Sequence, residues 1–252
     1  MALDLPLPEK IFAHGWLLFN NSKLSKSKEV GKKEVFDPRV LIERYGRDAV
    51  RNFIIGEINF GEDGPYTQEL FLNSFNTNLA NTVGNLASRT AGMIIKYNNA
   101  ILEKGNTITD TDIVFKNQVV ALKLKCIEEM KQFKSSNSYN SALAILEQCN
   151  KYIDECKPWE LAKDETQKDR LNTFLYTLSE AQIEAYTLLL PFLTEKTKNV
   201  FANFGLEVPT HIDENNHFNQ LKDSQTVTKG ENIYNRLDVK KEMEELYTIA
   251  NN

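Results

Sequence analysis

Lys23-Leu24-Ser25-Lys26-Ser27 puts two ammonium groups and two hydroxyls within five consecutive residues. Lysine is a compact point charge on a flexible stem, and serine adds a small donor and acceptor. A loop of this composition can bring positive charge to a group on which negative charge builds, such as a departing phosphate. Taken alone, the pentapeptide reads more simply as a solvated basic turn. Its flanks are more informative. The apolar run from Ile11 to Leu18, which includes His14 and Gly15, predicts a buried strand. Downstream, Asp37-Pro38 is a cap and first-turn pair that opens a helical segment through Leu41 and Arg51.

Two further clusters could bind rather than react. Asn81, Asn85 and Arg89 recur at four-residue steps and so share one face of a predicted helix, opposite its apolar stripe. Asparagine offers donors and an acceptor, and arginine a planar fork that can hydrogen-bond or stack. Such groups suit the unstacked bases of an RNA loop; taken alone, they read more simply as a solvated helix face. Trp159 follows a helix-breaking proline, Pro158. A tryptophan held there can be a stacking platform or a plug for the end of a bundle.

The elements that must position these groups are mostly helical. Gly46 ends the first helix, and Asp48 starts a second that reaches about Ile55. Gly61 to Pro65 is a turn, after which Thr67 caps a long helix with the stripe Phe71, Phe75, Leu79, Val83, Leu86 and Ile94. Ile113, Val120, Leu124, Ile127 and Phe133 predict the buried face of another helix. A third runs from about Ser138 through Ala142, Ile145 and Ile153 to Pro158, and a fourth carries Leu171, Leu178 and Tyr186. A short helix stops at Gly205, residues from Pro209 to Glu231 read as an exposed connector, and a charged helix from Val239 closes the chain. The predicted fold class is mainly α: a helical bundle with a small α/β segment at its N-terminal end.

Composition bounds the function. The 252 residues carry a net charge of −5, so a non-specific polyanion binder does not fit, although Lys23, Lys26, Lys28, Lys32 and Lys33 make one basic segment. Three dispersed cysteines argue against a disulfide framework, and three histidines lack metal-ligand spacing, so no metal is expected. No apolar run is long enough to cross a membrane, and the first residues lack the charge pattern of a signal or transit peptide. A cytoplasmic location is expected.

In order and spacing, the strand, the lysine–serine loop and the following helix resemble the KMSKS region of class I aminoacyl-tRNA synthetases. Their text is most similar to methionyl-tRNA synthetase. The stretch from Asn78 to Arg89 and the Pro158-Trp159 pair resemble that family's anticodon-binding domain, and Leu237-Asp238-Val239 resembles its closing segment. The resemblance covers nearly the whole chain. It implies methionine–tRNA ligase chemistry, with ATP (accompanied by Mg2+) as substrate and tRNA(Met) as partner. Lys26 would be the main contact to the triphosphate, supported by Lys23, Ser25 and Ser27, with His14 and Gly15 in the strand leading to the loop. Asn85, Arg89 and Trp159 would read the CAU anticodon. The implied organisation is a C-terminal remnant of a Rossmann-type catalytic domain over residues 1–62. An anticodon-binding bundle over 63–208 follows, then a connector with its helix over 209–252.

The chain also departs from the family pattern. Met1 to Pro8 resembles an interior segment, and the HIGH signature and methionine pocket are not found in the sequence. Leu24 stands where the motif usually has methionine, and the loop between Lys28 and Phe36 is longer than usual. Asn52, Gly56 and Asn59 replace residues that are commonly larger or stiffer, which predicts a slightly weakened stem-contact region. The expectation is that this chain supplies the loop and the anticodon reader but does not form the adenylate by itself. A free-standing tRNA-binding module, or one half of a split enzyme with its catalytic domain in trans, is the alternative. A helical interaction domain without an RNA role is the third reading.

Overall fold

The computed structural model describes residues 7–19, 22–23, 37–59 and 61–251. The expected strand over Ile11–Leu18 is shorter and less buried than its composition predicts. Only Leu17–Phe19 forms β1, which pairs antiparallel with β2 (Ser22–Lys23) and parallel with β3 (Gly64–Pro65). Ile11 and Trp16 are 86% and 56% exposed. The two neighbouring strands offer two residues each, too short a ladder to cover an apolar run on both faces.

Helix α1 (Pro38–Tyr45) starts as its sequence predicts: Asp37 accepts from the backbone N–H of Arg39, with Pro38 at the first helical position. Gly46, at φ 87°, turns the chain into α2 (Arg47–Glu57). Asp48 is more than a helix opener. It is buried and accepts the backbone N–H groups of Glu195 and Lys196 at 2.9–3.2 Å and the Tyr234 hydroxyl at 2.6 Å. One carboxylate thereby ties α2 to two distant parts of the chain.

Thr67 caps the long helix, whose stripe from Phe71 to Ile94 is buried throughout. The helix is not uniform. After α3 (Gln68–Ser74), residues Phe75–Gly84 are wound as a π-helix, and the Asn85 N–H donates to Ala80 at the start of α4 (Asn85–Asn98). Wide turns of this kind are rare and recur at functional sites.

The bundle is completed by α5 (Asp110–Lys131), α6 (Ser135–Cys156) and α8 (Lys168–Leu189), with the short α7 (Pro158–Leu161) between the last two. Nearly every residue of α8 is buried, as expected of a helix at the centre of a bundle. The predicted face of α5 is wrong. Ile113 and Leu124 are 50% and 45% exposed, and the buried positions are Asp112, Phe115, Val119, Lys123 and Cys126. Two of these are charged, and each has a buried partner: Arg170 Nη2 is 3.0 Å from Asp112, and Lys123 Nζ is 2.8 Å from Glu184. An apolar pattern cannot register a face built partly from ion pairs.

The connector is also more ordered than its polarity predicts. Leu221 and Val227 are buried, and β5 (Ser224–Thr226) pairs antiparallel with β4 (Ile101–Glu103). The backbone N–H groups of Gln220 and Leu221 donate to the buried Glu180 carboxylate, and Lys123 donates to the Asn216 carbonyl. At these positions the connector satisfies its backbone on the bundle, while most of its residues stay exposed as expected.

Beyond α9 (Asn199–Asn203) and the connector, α10 (Val239–Asn251) packs against α3. Arg44 joins it through Glu242 and Glu245, and the Asn76 side chain bonds reciprocally with the backbone of Leu237. One buried cluster therefore runs from Leu41 to Leu246, through all three expected regions. Asn52 and Gly56 are packed into it. Asn52 bonds Ser74 at 3.0 Å and the Tyr139 hydroxyl at 2.7 Å, while a Cβ on Gly56 would stand 3.1 Å from the Tyr139 ring. No helix among the described residues is long and apolar enough to cross a membrane.

Candidate functional site

Of the loop residues, Ser25, Lys26 and Ser27 lie outside the described residues, and Lys23 stands opposite Leu18 in the β1–β2 register. His14 and Gly15 border a cavity of about 530 Å3 with Trp16, Ile54 and Ile58. Gly15 has a structural reason to be glycine. Its backbone lies against the turn at Glu62, whose carbonyl a Cβ would strike, and the Trp16 N–H donates to Asp63 at 2.6 Å. His14 is exposed, with Nδ1 2.8 Å from the Gly15 carbonyl oxygen.

The second cluster sits where the π-helix gives way to α4. Asn85 is exposed as the first residue of α4, and Arg89 follows one turn later, half-buried. Asn81 is exposed too, but it lies within the wide π turns, so its angular relation to Asn85 is not that of an α-helix. Arg89 stands 3.7 Å from Asp154 in the last turn of α6. Ser88 beside it donates to the Asn232 side chain at 3.0 Å.

From Asp154 the chain reaches Trp159 through a sharp turn. Lys157 adopts a left-handed conformation (φ 46°, ψ 61°), its N–H bonding the Ile153 carbonyl, and Pro158 opens α7. A non-glycine residue in this region costs roughly 1–3 kcal/mol. Trp159 is 39% exposed as a result, while Pro158 is buried. The fold thus brings Arg89 and Trp159 to the same end of α6, with Asn85 one turn back along α4.

A buried network underlies that end. The Tyr152 hydroxyl and Arg170 both donate to Asp112 Oδ1, and the Thr109 N–H and hydroxyl donate to Oδ2. Burial alone would raise the Asp112 pKa; the hydrogen bonds from Tyr152 and Thr109, with the Arg170 charge, carry it below the ordinary value. Arg170 also lies 3.4 Å from Cys156 Sγ, the last residue of α6, and burial pushes that thiol up to about 11. Cys156 is therefore a protonated, packed thiol at neutral pH.

Asp112 and Arg170 were not singled out from the sequence. The signal available was the Thr109-x-x-Asp112 capping box, which marks a helix start and says nothing about a buried partner. Around Trp159, Lys163 pairs with Glu160 at 3.0 Å and Arg89 with Asp154, so local charge is mixed rather than strongly basic. Among the described residues, no group of three or more His, Cys, Asp or Glu side chains is placed to hold a metal.

Comparison with known proteins agrees with this architecture. The family of class I tRNA synthetases (M) matches residues 1–91. Methionine–tRNA ligases from Caldanaerobacter subterraneus and Clostridium acetobutylicum are 40% and 41% identical over 246 residues, which is 98% of this chain and 38% and 37% of theirs. The one from Bacillus subtilis is 40% identical over 96% of this chain and 36% of its own. Among solved structures, Mycobacterium tuberculosis methionyl-tRNA synthetase in complex with methionyl-adenylate superposes with a TM-score of 0.79 and 28% identity, covering 91% of this chain and 45% of that one. Its free form gives 0.78 at 25% identity, covering 93% of this chain and 45% of that one. The chain spans under two fifths of the length of these curated relatives. Over nearly its whole length the chain is therefore similar to methionine–tRNA ligases in sequence and to methionyl-tRNA synthetase in fold.

Proposed function

We propose that this chain is the anticodon-reading part of a methionine–tRNA ligase, together with that enzyme's lysine–serine loop. The whole ligase joins methionine to tRNA(Met) in the cytoplasm, using ATP with Mg2+ and passing through methionyl-adenylate. Asn85 and Arg89 offer donors and acceptors to unstacked CAU bases, and Trp159 offers a stacking face. Lys26, with Lys23, Ser25 and Ser27, meets the triphosphate as pyrophosphate leaves, and His14 and Gly15 line the approach. The regions implied are a catalytic remnant over 1–62, the reading bundle over 63–208 and a closing segment over 209–252.

The observation that carries this reading is the meeting of Arg89 with Asp154 at the end of α6, where the strained turn at Lys157 holds Trp159 partly exposed. Lys157 ends α6 in the left-handed conformation common at helix C-termini, and the turn that follows leaves an aromatic face open to a ligand. Trp159→Ala should weaken binding to a CAU anticodon stem-loop by about 1–3 kcal/mol, and Asn85→Ala should weaken it as well. Wild-type affinity in both folded variants would overturn the reading.

A second reading is a free-standing tRNA-binding module, or half of a split enzyme whose catalytic domain is supplied in trans. It is compatible with the exposed Trp16 and Ile54 at the 530 Å3 cavity, a face that a catalytic domain would cover whether supplied in cis or in trans. Methionine-dependent pyrophosphate exchange that appears only on adding a separate catalytic chain would support the split enzyme. Exchange by this chain alone would overturn both readings of its role.

A further inference from the structure

Between the N-terminal half of α5 and the C-terminal half of α6 lies a cleft of about 480 Å3. Its inner wall carries Phe115 and Tyr152, whose rings stack at 4.1 Å and within 1° of parallel. Gln118 and Gln148 stand on its two sides, with Lys151 and Glu155 along α6. Among the described residues, none of these four polar side chains makes a hydrogen bond or ion pair within the protein. Glu155 precedes Trp159 by four residues, at most ~14 Å of extended chain.

We propose that this cleft receives a second unpaired nucleobase of the RNA loop, next to the base that stacks on Trp159. The inference rests on the RNA-reading role proposed above and names a further specificity site for it. The volume falls in the range of small-ligand pockets. Charge chooses the ligand. Asp110 and Glu155 outnumber Lys151 on the lining, which disfavours a phosphate and leaves a neutral, flat, hydrogen-bonding group. The two glutamine amides each present donors and an acceptor, as reading a base edge requires.

The cleft is also held open before binding. Asp112, bonded by Tyr152, Arg170 and Thr109, locks α5 to α6 directly behind it. The same Arg170 reaches Cys156, three residues before Trp159, so one buried network fixes both the cleft wall and the base of the stacking turn. A site built on two rigid helices loses little freedom when the base enters.

The test compares wild type, Gln118→Ala/Gln148→Ala and Trp159→Ala for binding to the CAU stem-loop. A set of the same RNAs, each lacking one loop base, is measured alongside. The double variant should melt like wild type and bind the intact loop at least tenfold more weakly. That difference should vanish for one particular abasic loop, because the contact is then absent on both sides of the cycle. Equal affinity, or a loss that persists with every abasic loop, would overturn the proposal. If Trp159→Ala weakens binding and the double variant does not, the cleft fails while the RNA-reading role stands. If neither variant differs from wild type, both fall.

Discussion

Arg89 on α4 and Asp154 on α6 stand 3.7 Å apart, and they join the two helices at the end of the bundle where Trp159 is exposed. The pair is open to solvent, with Asp154 the more exposed partner. It orients the guanidinium without burying it, so the arginine keeps donors for an incoming base.

An exposed pair of this kind contributes about 0–1 kcal/mol. Asp154→Ala should therefore leave the urea midpoint nearly unchanged. Its effect on RNA should be a gain in affinity, because a carboxylate competing for Arg89 and repelling phosphate is removed. Arg89→Ala should lose affinity at equal stability. Filter binding of the two variants at one salt concentration separates these outcomes.

The Lys123–Glu184 pair behaves oppositely, since both side chains are almost fully buried at 2.8 Å. Lys123→Met leaves a carboxylate in the core and should cost about 3–5 kcal/mol in urea unfolding. Adding Glu184→Leu should recover most of that loss, because the unpaired charge is gone. A double variant as unstable as the single one would show that the two side chains matter through their bonds to the connector backbone, at the Asn216 carbonyl and the Phe218 N–H, instead.

Asp112 gives the stability a defined pH dependence. Its folded pKa lies below the ordinary 3.8, so its contribution is complete above that pH and is lost as pH falls through the folded value. Asp112→Asn should destabilise the protein by about 3–5 kcal/mol near neutral pH, with Arg170 left unpaired. The gap between variant and wild type should narrow below pH 3.8. Thermal melts from pH 7 to pH 3 check the slope.

How much of this was legible in the sequence depended on whether burial followed apolarity. The stripe from Phe71 to Ile94, the Thr67 cap and the Gly46 turn were readable because each rests on local pattern or backbone chemistry. The buried face of α5 was not, because Asp112 and Lys123 enter the core with partners on α8, remote in sequence. The connector misled for a related reason: a polar strand, Ser224–Thr226, is ordered by backbone pairing with Ile101–Glu103 rather than by side-chain burial. At the candidate site, Asn85, Arg89 and Trp159 stood out through the resemblance to a known family, since type and spacing alone fit a solvated helix face and a plug for the bundle end. The Arg89–Asp154 contact and the cleft beside Gln118 did not, since both depend on how separate helices meet.

The most direct measurement is equilibrium binding of this chain to a CAU anticodon stem-loop and to the same RNA with a changed anticodon, at fixed moderate salt. The account predicts clear preference for CAU, lost in Asn85→Ala and in Trp159→Ala while both variants stay folded. Equal affinity for the two RNAs, in a sample that melts cooperatively, would contradict it.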